Sequence, residues 1–185
     1  GLDQFSIQLF RPVQPMLAQT AEDVDEAIRD LGEAALEYKF DGARIQAHKS
    51  GDEVKIYSRR LNEVTGAVPE VVEAIRALPA KDLILDGEVL GLTSQGRPQP
   101  FQVTMRRFGR KLDVEKMRSE IPVQPFWFDL IYLNGESLAE ETQRARSAPG
   151  TRAHARLAPR LARPGRLRAL TEPGADRVGV RVMQG

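Results

Sequence analysis

Three short runs of apolar and β-branched residues, separated by two tight-turn sequences, restrict the fold of this chain more than any other feature. Residues 34–39, 43–48 and 54–58 have the composition of strands, and Asp41-Gly42 and Ser50-Gly51-Asp52 separate them. Connections this short join antiparallel neighbours, because a parallel pair needs a crossover of a dozen or more residues. The pattern therefore predicts an antiparallel sheet.

Helical patterns surround these strands. Val24, Ile28 and Leu31 share one helical face, with Thr20 as the expected N-cap and Gly32 as the stop. Further helices are expected at 68–78, 101–108 and 114–119. Further strands are expected at 83–92, interrupted by Asp86-Gly87-Glu88, and at 126–133, before an Asn134-Gly135 turn. Antiparallel strands with helices packed against them predict the α+β class.

Composition excludes several classes of protein. The 185 residues are 41% hydrophobic and 29% charged, which suits a soluble globular domain. The absence of cysteine excludes a disulfide framework and a thiolate metal site. No apolar run approaches the roughly 20 residues of a membrane helix. Because the chain starts at Gly1 rather than Met, we expect it to begin inside a longer protein.

The charge is distributed unevenly. Residues 1–143 carry a net charge of −7 and residues 144–185 a net charge of +8. The latter segment is mostly Arg, Ala, Pro and Gly and has no Lys, Ile, Phe, Tyr, Trp or Asn, so we expect it to be disordered. Two origins fit this tail: a frameshift near residues 139–146 of a GC-rich gene, or a natural basic arm that binds phosphates.

The first candidate site is the octapeptide at 37–44, Glu-Tyr-Lys-Phe-Asp-Gly-Ala-Arg. At the end of an apolar strand, the uncharged amine of Lys39 is favoured by desolvation or by nearby cations and can act as a nucleophile. Asp41 can orient this amine or help to hold a metal, and Arg44 offers a planar fork to a phosphate. Taken alone, the octapeptide is also compatible with an exposed hairpin that carries scattered charges.

Three more motifs carry candidate residues. Asp86 and Glu88 lie within an apolar strand, where acids are rare unless paired or metal-bound, so Glu88 is a candidate for holding a ribose hydroxyl or Mg²⁺. Exposed acids at a bulge or turn are the alternative, and the favoured one for this motif alone. Phe128, next to an acid, can stack on a base, although core packing also explains it. Arg59 suits either a phosphate or a solvated surface pair, and His48 suits a strand face better than catalysis.

In order and approximate spacing, these motifs resemble the adenylation domain of ATP-dependent DNA ligases. Residues 39–44 resemble the nucleophile motif, Ser58-Arg59 the second, Asp86-Gly87-Glu88 the third, and residues 128–135 the adenine-contacting element. Pro15-Met16-Leu17-Ala18 resembles the segment that follows an N-terminal DNA-binding domain in larger ligases. The resemblance covers roughly residues 7–141.

This resemblance implies an incomplete nucleotidyltransferase fold, of the ATP-grasp-like ligase type. Its implied parts are a lead-in segment at 1–19, after a DNA-binding domain that is absent here, and the N-terminal part of the adenylation domain at 20–143. The tail at 144–185 follows.

The resemblance also implies covalent nucleotidyl transfer. Lys39 attacks the α-phosphorus of ATP, pyrophosphate leaves, and AMP passes from the lysine to the 5′-phosphate of a nick, where the 3′-hydroxyl displaces it. The implied nucleotide contacts are Glu37 at the adenine edge, Phe128 at its face, Arg44 and Arg59 at ribose and phosphate, and Glu88 at the ribose. The implied cofactors are ATP and Mg²⁺, with Glu88 and Asp41 as metal ligands.

The sequence departs from the family after the adenine-contacting element. Members continue with a Glu-Gly-Val-Met-Val-Lys-like strand and a Lys-x-Lys strand, whose lysines meet the triphosphate. Residues 179–183, Gly-Val-Arg-Val-Met, resemble the first of these strands only weakly, because its Glu and Lys are missing. We therefore expect this 185-residue chain to be impaired in self-adenylation.

Other functions remain open on the sequence. They are an RNA ligase, an mRNA capping guanylyltransferase, and a non-catalytic nucleic-acid-binding fragment. The Pro-Met-Leu-Ala segment and the Asp-Leu-Ile-Tyr-Leu-Asn-Gly strand favour a DNA ligase. The expected setting is a monomer in the cytoplasm, nucleoid-associated in a prokaryote, which acts on nicked duplex DNA in replication, repair or recombination and does not bind membranes.

Overall fold

The computed structural model describes residues 7–15, 22–31, 34–109, 113–142, 146 and 179–184. In this part of the chain, no helix has the length and apolarity needed to cross a membrane. The regular elements, in chain order, are α1 (Val24–Leu31), β1 (Ala34–Lys39), β2 (Ala43–Ser50), β3 (Glu53–Ser58), α2 (Pro69–Arg76), β4 (Asp82–Gly91), α3 (Phe101–Met105), α4 (Val114–Glu120), β5 (Val123–Leu133), β6 (Glu136–Ser137) and β7 (Gly179–Gln184).

The strands form two antiparallel sheets. Five of them pair in the order β3-β2-β4-β5-β6, and β1 pairs with β7 in a separate two-stranded sheet. The turn between β2 and β3 contains Gly51 at φ 56°, a left-handed conformation that favours glycine. Antiparallel sheets with flanking helices confirm the predicted α+β class. The expected pairing of 34–39 with 43–48 across Asp41-Gly42 was wrong, because β1 pairs with β7 and β2 pairs with β3 and β4.

The five-stranded sheet has one face that packs into the apolar core and a second face on which polar side chains lie beside buried Ile84 and Leu90. On the apolar face, Ile45 of β2, Ile56 of β3 and Leu85 of β4 join a core cluster with Val71 and Ile75 of α2. Because side chains alternate along a strand, the residues between these core positions face the other way. The candidate site residues of β2 and β4 lie on this second face.

Two expected elements differ from those observed. The strand at 83–92 was expected to break at Asp86-Gly87-Glu88, but β4 runs through these residues without interruption. The irregularity lies in its partner β5, which carries the extra residues. Helix α1 begins at Val24 and is capped by Asp23, whose Oδ1 accepts a hydrogen bond from Glu26 N at 2.7 Å. The expected cap, Thr20, lies outside the described residues.

The tail was expected to be without regular structure, and for residues 179–184 this prediction was wrong. These residues form β7, which pairs along the whole of β1 from Ala34↔Gln184 to Lys39↔Gly179. The alternation of Val180 and Val182 with other residues suits a strand, because β-branched side chains favour the extended backbone. The remaining tail, apart from Arg146, lies outside the described residues.

The lead-in segment is held on the second face of β2 by side chains that mimic a strand edge. Gln46 Oε1 accepts from Val13 N at 2.8 Å, and its Nε2 donates to Val13 O at 3.2 Å. His48 Nδ1 accepts from Phe10 N at 2.9 Å, and Tyr57 Oη donates to Phe10 O at 3.0 Å. These bonds satisfy backbone groups of the segment that no sheet pairs.

His48 is fully buried beneath this segment and is neutral there. Because Nδ1 accepts a hydrogen bond, the ring proton is on Nε2, which lies 2.9 Å from Gln46 Oε1. Burial lowers the pKa of His48 from its ordinary value of 6.5 to about 4. The contacts agree with the prediction that His48 is a strand-face residue.

This burial predicts a pH dependence of stability. Below pH 6.5 the unfolded chain binds a proton at His48 that the folded chain does not bind until about pH 4. We therefore expect the free energy of unfolding to fall by at most about 3 kcal/mol between pH 6.5 and pH 4. Urea unfolding across this range measures it, with His48→Asn as the control, since Asn offers an acceptor but does not titrate. Equal slopes for the two proteins would contradict the prediction.

Candidate active site

The turn after Lys39 is fixed by a close approach between Gly42 and β4. Gly42 N donates to Glu88 Oε1 at 3.2 Å, and a Cβ added to Gly42 would clash with the Val89 carbonyl oxygen and the Leu90 side chain. Only glycine fits here, which explains the Asp41-Gly42 turn sequence. The Glu88 carboxylate therefore lies directly beside the turn that carries exposed Asp41.

Arg44 is locked onto Asp86 by two parallel hydrogen bonds. Its Nε donates to Oδ1 at 3.1 Å and its Nη2 to Oδ2 at 2.7 Å, and Asp86 is only 5% exposed. This is the bidentate geometry in which an arginine pairs most strongly with a carboxylate. Burial lowers the pKa of Arg44, but nearby carboxylates, Asp86 first among them, outweigh this and raise the pKa overall. The guanidinium is therefore a fixed charge.

Phe128 meets this guanidinium because β5 carries a bulge. In the register of β4 with β5, Asp86 pairs with Asp129 and Gly87 with Trp127, so Phe128 is an extra residue between two pairs. Its ring lies 5.5 Å from Arg44 Cζ, measured to the ring centroid. A second register shift leaves Ile131 unpaired in the same way. Bulges re-aim side chains, and they are frequent beside active sites.

Gly87 allows the sheet to close next to this bulge. A Cβ on Gly87 would lie 2.6 Å from both the Phe126 carbonyl oxygen and Trp127 Cε3. Trp127 packs against the core from the apolar face. The glycine in Asp86-Gly87-Glu88 is therefore a packing requirement between β4 and β5.

Arg59 joins Arg44 at one small recess. The residues that line it are Val13 and Pro15 of the lead-in segment together with Arg44, Ile45, Gln46, Ser58, Arg59, Leu61 and Asp86. Arg59 is exposed and follows the end of β3, where Leu61 adopts a left-handed φ of 62°. Two arginines at one recess suit a phosphate or another anion. The lead-in segment forms part of its wall.

Lys39 stands at the end of β1 with an exposed side chain. The next residue, Phe40, contacts Phe126 of β5 with ring centroids 4.9 Å apart, which ties the end of β1 to the five-stranded sheet. Because the Lys39 side chain is exposed, burial within the chain does not desolvate its amine, and activation by nearby cations, the alternative, stays a prediction. Glu37 lies opposite Arg181 in the β1–β7 register, and its side chain lies outside the described part of the structure.

A second ion pair lies beside the first. Arg146 Nη1 donates to Asp129 Oδ2 at 2.7 Å, and both side chains are largely buried. Arg146 N also donates to Thr142 O at 3.1 Å, the spacing of a helical turn. Ordered contacts with the domain thus extend beyond the boundary expected after residue 143.

The residues present suit a magnesium ion. Mg²⁺ is usually bound by one or two carboxylates together with substrate phosphates, and Glu88 and Asp41 supply carboxylates on the two sides of Gly42. Among the residues that the structure describes, no group of three or more His, Cys, Asp or Glu side chains forms a closed metal cage. Two carboxylates at the Gly42 turn would be enough for an ion that a phosphate also binds.

The structure brings together four of the predicted site residues, Arg44, Arg59, Glu88 and Phe128, and places Asp41 beside them. Sequence reasoning missed the roles of Asp86, as the partner of Arg44, and of Phe126, as the brace of Phe40. A charged partner for Asp86 could have been expected from the sequence, since an acid in an apolar strand is usually paired. No sequence pattern indicated that Asp129 pairs with Arg146.

Comparisons with known proteins identify the family of this chain. The family model described as "ATP dependent DNA ligase domain" matches residues 15–149. A "Probable DNA ligase" of Anaeromyxobacter sp. (strain Fw109-5) is 59% identical over 138 residues, 75% of this chain and 27% of that protein. A "DNA ligase" of Methanocaldococcus jannaschii is 46% identical over 140 residues, 75% of this chain and 24% of that protein.

Solved structures include similar chains as well. The ligase domain of M. tuberculosis LigD aligns with a TM-score of 0.49 and 29% identity, over 62% of this chain and 35% of that chain. The chain spans less than a third of the length of the curated relatives above. The family match covers most of the chain and includes Lys39, Asp41, Arg44, Arg59, Glu88 and Phe128. The chain therefore belongs to the ATP-dependent DNA ligase domain family.

Proposed function

We propose that the whole protein seals nicks in duplex DNA with ATP, and that this chain carries the nucleoside-binding side of its active site. Membership of the ATP-dependent DNA ligase domain family supports the reaction. The observation that carries the assignment is the fixed Arg44–Asp86 pair, with Phe128 against its guanidinium and Glu88 opposite Arg44 in the register. This arrangement offers a ring, a charge and a carboxylate on one face.

In this proposal Lys39 is the nucleophile. Its amine loses a proton to solvent and attacks the α-phosphorus of ATP, so that an N–P bond forms as the bond to pyrophosphate breaks. An oxygen of the 5′-phosphate at a nick then takes AMP from Lys39. The 3′-hydroxyl attacks that phosphate, and AMP leaves.

The other residues bind and orient the nucleotide. Phe128 offers its ring to the adenine and Glu37 approaches the adenine edge, while Arg44 and Arg59 bind ribose and phosphate oxygens. Glu88 binds the ribose, and Glu88 and Asp41 would hold Mg²⁺, which neutralises charge on the triphosphate when bound. The partner proposed for the whole protein is nicked duplex DNA, bound by a monomer in the cytoplasm at the nucleoid.

The proposal predicts selective binding of adenosine nucleotides by this chain. We expect calorimetric titration to show AMP binding at least about tenfold more tightly than GMP, because the site reads the base edge. Segment 144–185 contains no lysine to meet the triphosphate. We therefore expect the affinities for ATP and AMP to agree within about threefold, since the additional phosphates gain few charged contacts.

A pair of phenylalanine variants tests the base contact. Phe128→Leu removes the ring at the site and should weaken AMP binding about tenfold, which is the usual value of a base–aromatic stack. Phe101→Leu removes a partly exposed ring on α3 and should leave the affinity unchanged. A preference for GMP would instead favour a capping guanylyltransferase. No nucleotide binding by the wild-type chain would favour a non-catalytic fragment.

A further inference from the structure

Two aspartates face each other across the centre of the candidate site. Asp86 of β4 and Asp129 of β5 are directly opposite in the register, next to the Phe128 bulge. Like charges at directly opposite positions of an antiparallel pair destabilise the sheet. Asp86 is buried and Asp129 is half-buried, so water screens their repulsion poorly. The pair persists only if cations compensate both carboxylates.

Each aspartate has an arginine of its own. Arg44 binds both oxygens of Asp86, and Arg146 binds Asp129 from the chain segment that follows Thr142. The four side chains form a row of charges in the order plus, minus, minus, plus. The exposed fractions of the Arg146 and Asp129 side chains are only 18% and 19%. This is a partly desolvated pair rather than a surface pair.

We propose that Arg146 is a positioning residue for Arg44, and hence for the nucleotide. By compensating Asp129, Arg146 leaves Arg44 committed to Asp86, with its guanidinium against the Phe128 ring. Asp86, Glu88 and Asp129 all attract Arg44, and without Arg146 the attraction by Asp129 is no longer offset by the charge of Arg146. The guanidinium then moves along the row towards Asp129 and away from its present place. This inference rests on the proposed function, in which Arg44 and Phe128 contact the nucleotide.

The residues that order the site extend beyond the sequence motifs. All the motif residues precede residue 136, yet the charge that orders Arg44 comes from residue 146. A chain cut after Thr142 would retain every residue expected to touch the nucleotide. It would still lose affinity for the nucleotide.

A double-mutant cycle tests the role of Arg146 in nucleotide binding. Arg146→Leu should weaken AMP binding about tenfold, the size of coupling expected within one charge network. Arg146→Lys, which keeps the charge, should stay within about threefold of wild type. In the Asp129→Asn background, Arg146→Leu should change the affinity by less than about threefold, because the acid whose charge Arg146 offsets is then absent. Arg118→Leu removes an arginine from a surface pair with Glu73 and is the matched control.

A second measurement follows Arg44 without any nucleotide. The Nε–H of Arg44 donates to Asp86, so its ¹⁵N–¹H resonance reports this bond directly. The resonance should shift in Arg146→Leu and return towards the Asp129→Asn position in the double variant. An unchanged resonance in Arg146→Leu would overturn the proposal, as would loss of AMP binding that Asp129→Asn does not rescue. If the resonance shifts as expected but the wild-type chain does not bind AMP, the positioning role stands and the proposed function fails.

Discussion

Lys39→Ala is expected to abolish transfer of AMP to the chain from adenosine 5′-phosphorimidazolide. This activated AMP carries imidazole in place of pyrophosphate as the leaving group, so transfer from it needs no lysines for a triphosphate. Lys39 attacks the phosphorus, the P–N bond to imidazole breaks, and the same lysyl-AMP bond forms. Peptide mapping by mass spectrometry should find the adenylate on Lys39 of the wild-type chain. The variant should show only the background of surface lysines.

Two controls make this result specific. Lys116→Ala removes a lysine whose side chain is 66% exposed, on a helix that carries no candidate site residue, and should leave the labelling of Lys39 unchanged. ATP with Mg²⁺ should label the wild-type chain only weakly, because segment 144–185 offers no lysine to the triphosphate. Efficient, Lys39-dependent labelling by ATP would contradict the expected impairment. Equal labelling of Lys39→Ala and wild type by the imidazolide would contradict the role of Lys39.

Among the variants described above and below, Glu70→Ala is expected to lower the free energy of unfolding the most. Glu70, in the first turn of α2, binds Arg107 through both carboxylate oxygens, at 2.6 and 2.8 Å. Arg107 is fully buried, and its other bonds go to the carbonyl oxygens of Ile121 and Ala67. Removal of the only carboxylate bound to it in the described structure leaves a buried charge without compensation. The expected loss in the free energy of unfolding is about 3–5 kcal/mol.

The same helix supplies the control. Glu73, three residues further on, pairs with Arg118 through two equally short bonds, at 2.8 and 2.6 Å, but both side chains are substantially exposed. Glu73→Ala should therefore change the urea midpoint very little, because water replaces the lost partner. Similar losses for the two variants would show that burial does not decide the contribution of these pairs.

Local chemistry made much of this fold predictable. The Ser50-Gly51-Asp52 turn and its flanking strands follow from residues adjacent in the chain, and the structure has them with little change. Asp41-Gly42 was read as a turn, and the clash at a Gly42 Cβ shows why glycine is needed there. Such features depend on few residues and short distances.

Features that depend on register were not predictable. The contact of Arg44 with Phe128 requires the extra residue in β5, and no local pattern in an apolar run shows where a bulge will fall. The pairing of Arg146 with Asp129 requires the chain beyond residue 143 to return to β5. In a segment with ten arginines, composition does not show which of them is paired. Pairing between strands decides both features, and a single sequence does not show it.

The bulge at Phe128 also bears on how a site of this kind gains or loses residues. Asp129 and Trp127 pair with consecutive residues of β4. The pairing of β4 with β5 would therefore be regular at this point if Phe128 were deleted. Leu130 and Leu133 would still face the core, since neither changes its partner. The regular pairing of β4 with β5 therefore does not require Phe128, and the contact of its ring with Arg44 is a feature of the site. At this position, a one-residue insertion or deletion could add or remove the aromatic contact without shifting the rest of the sheet.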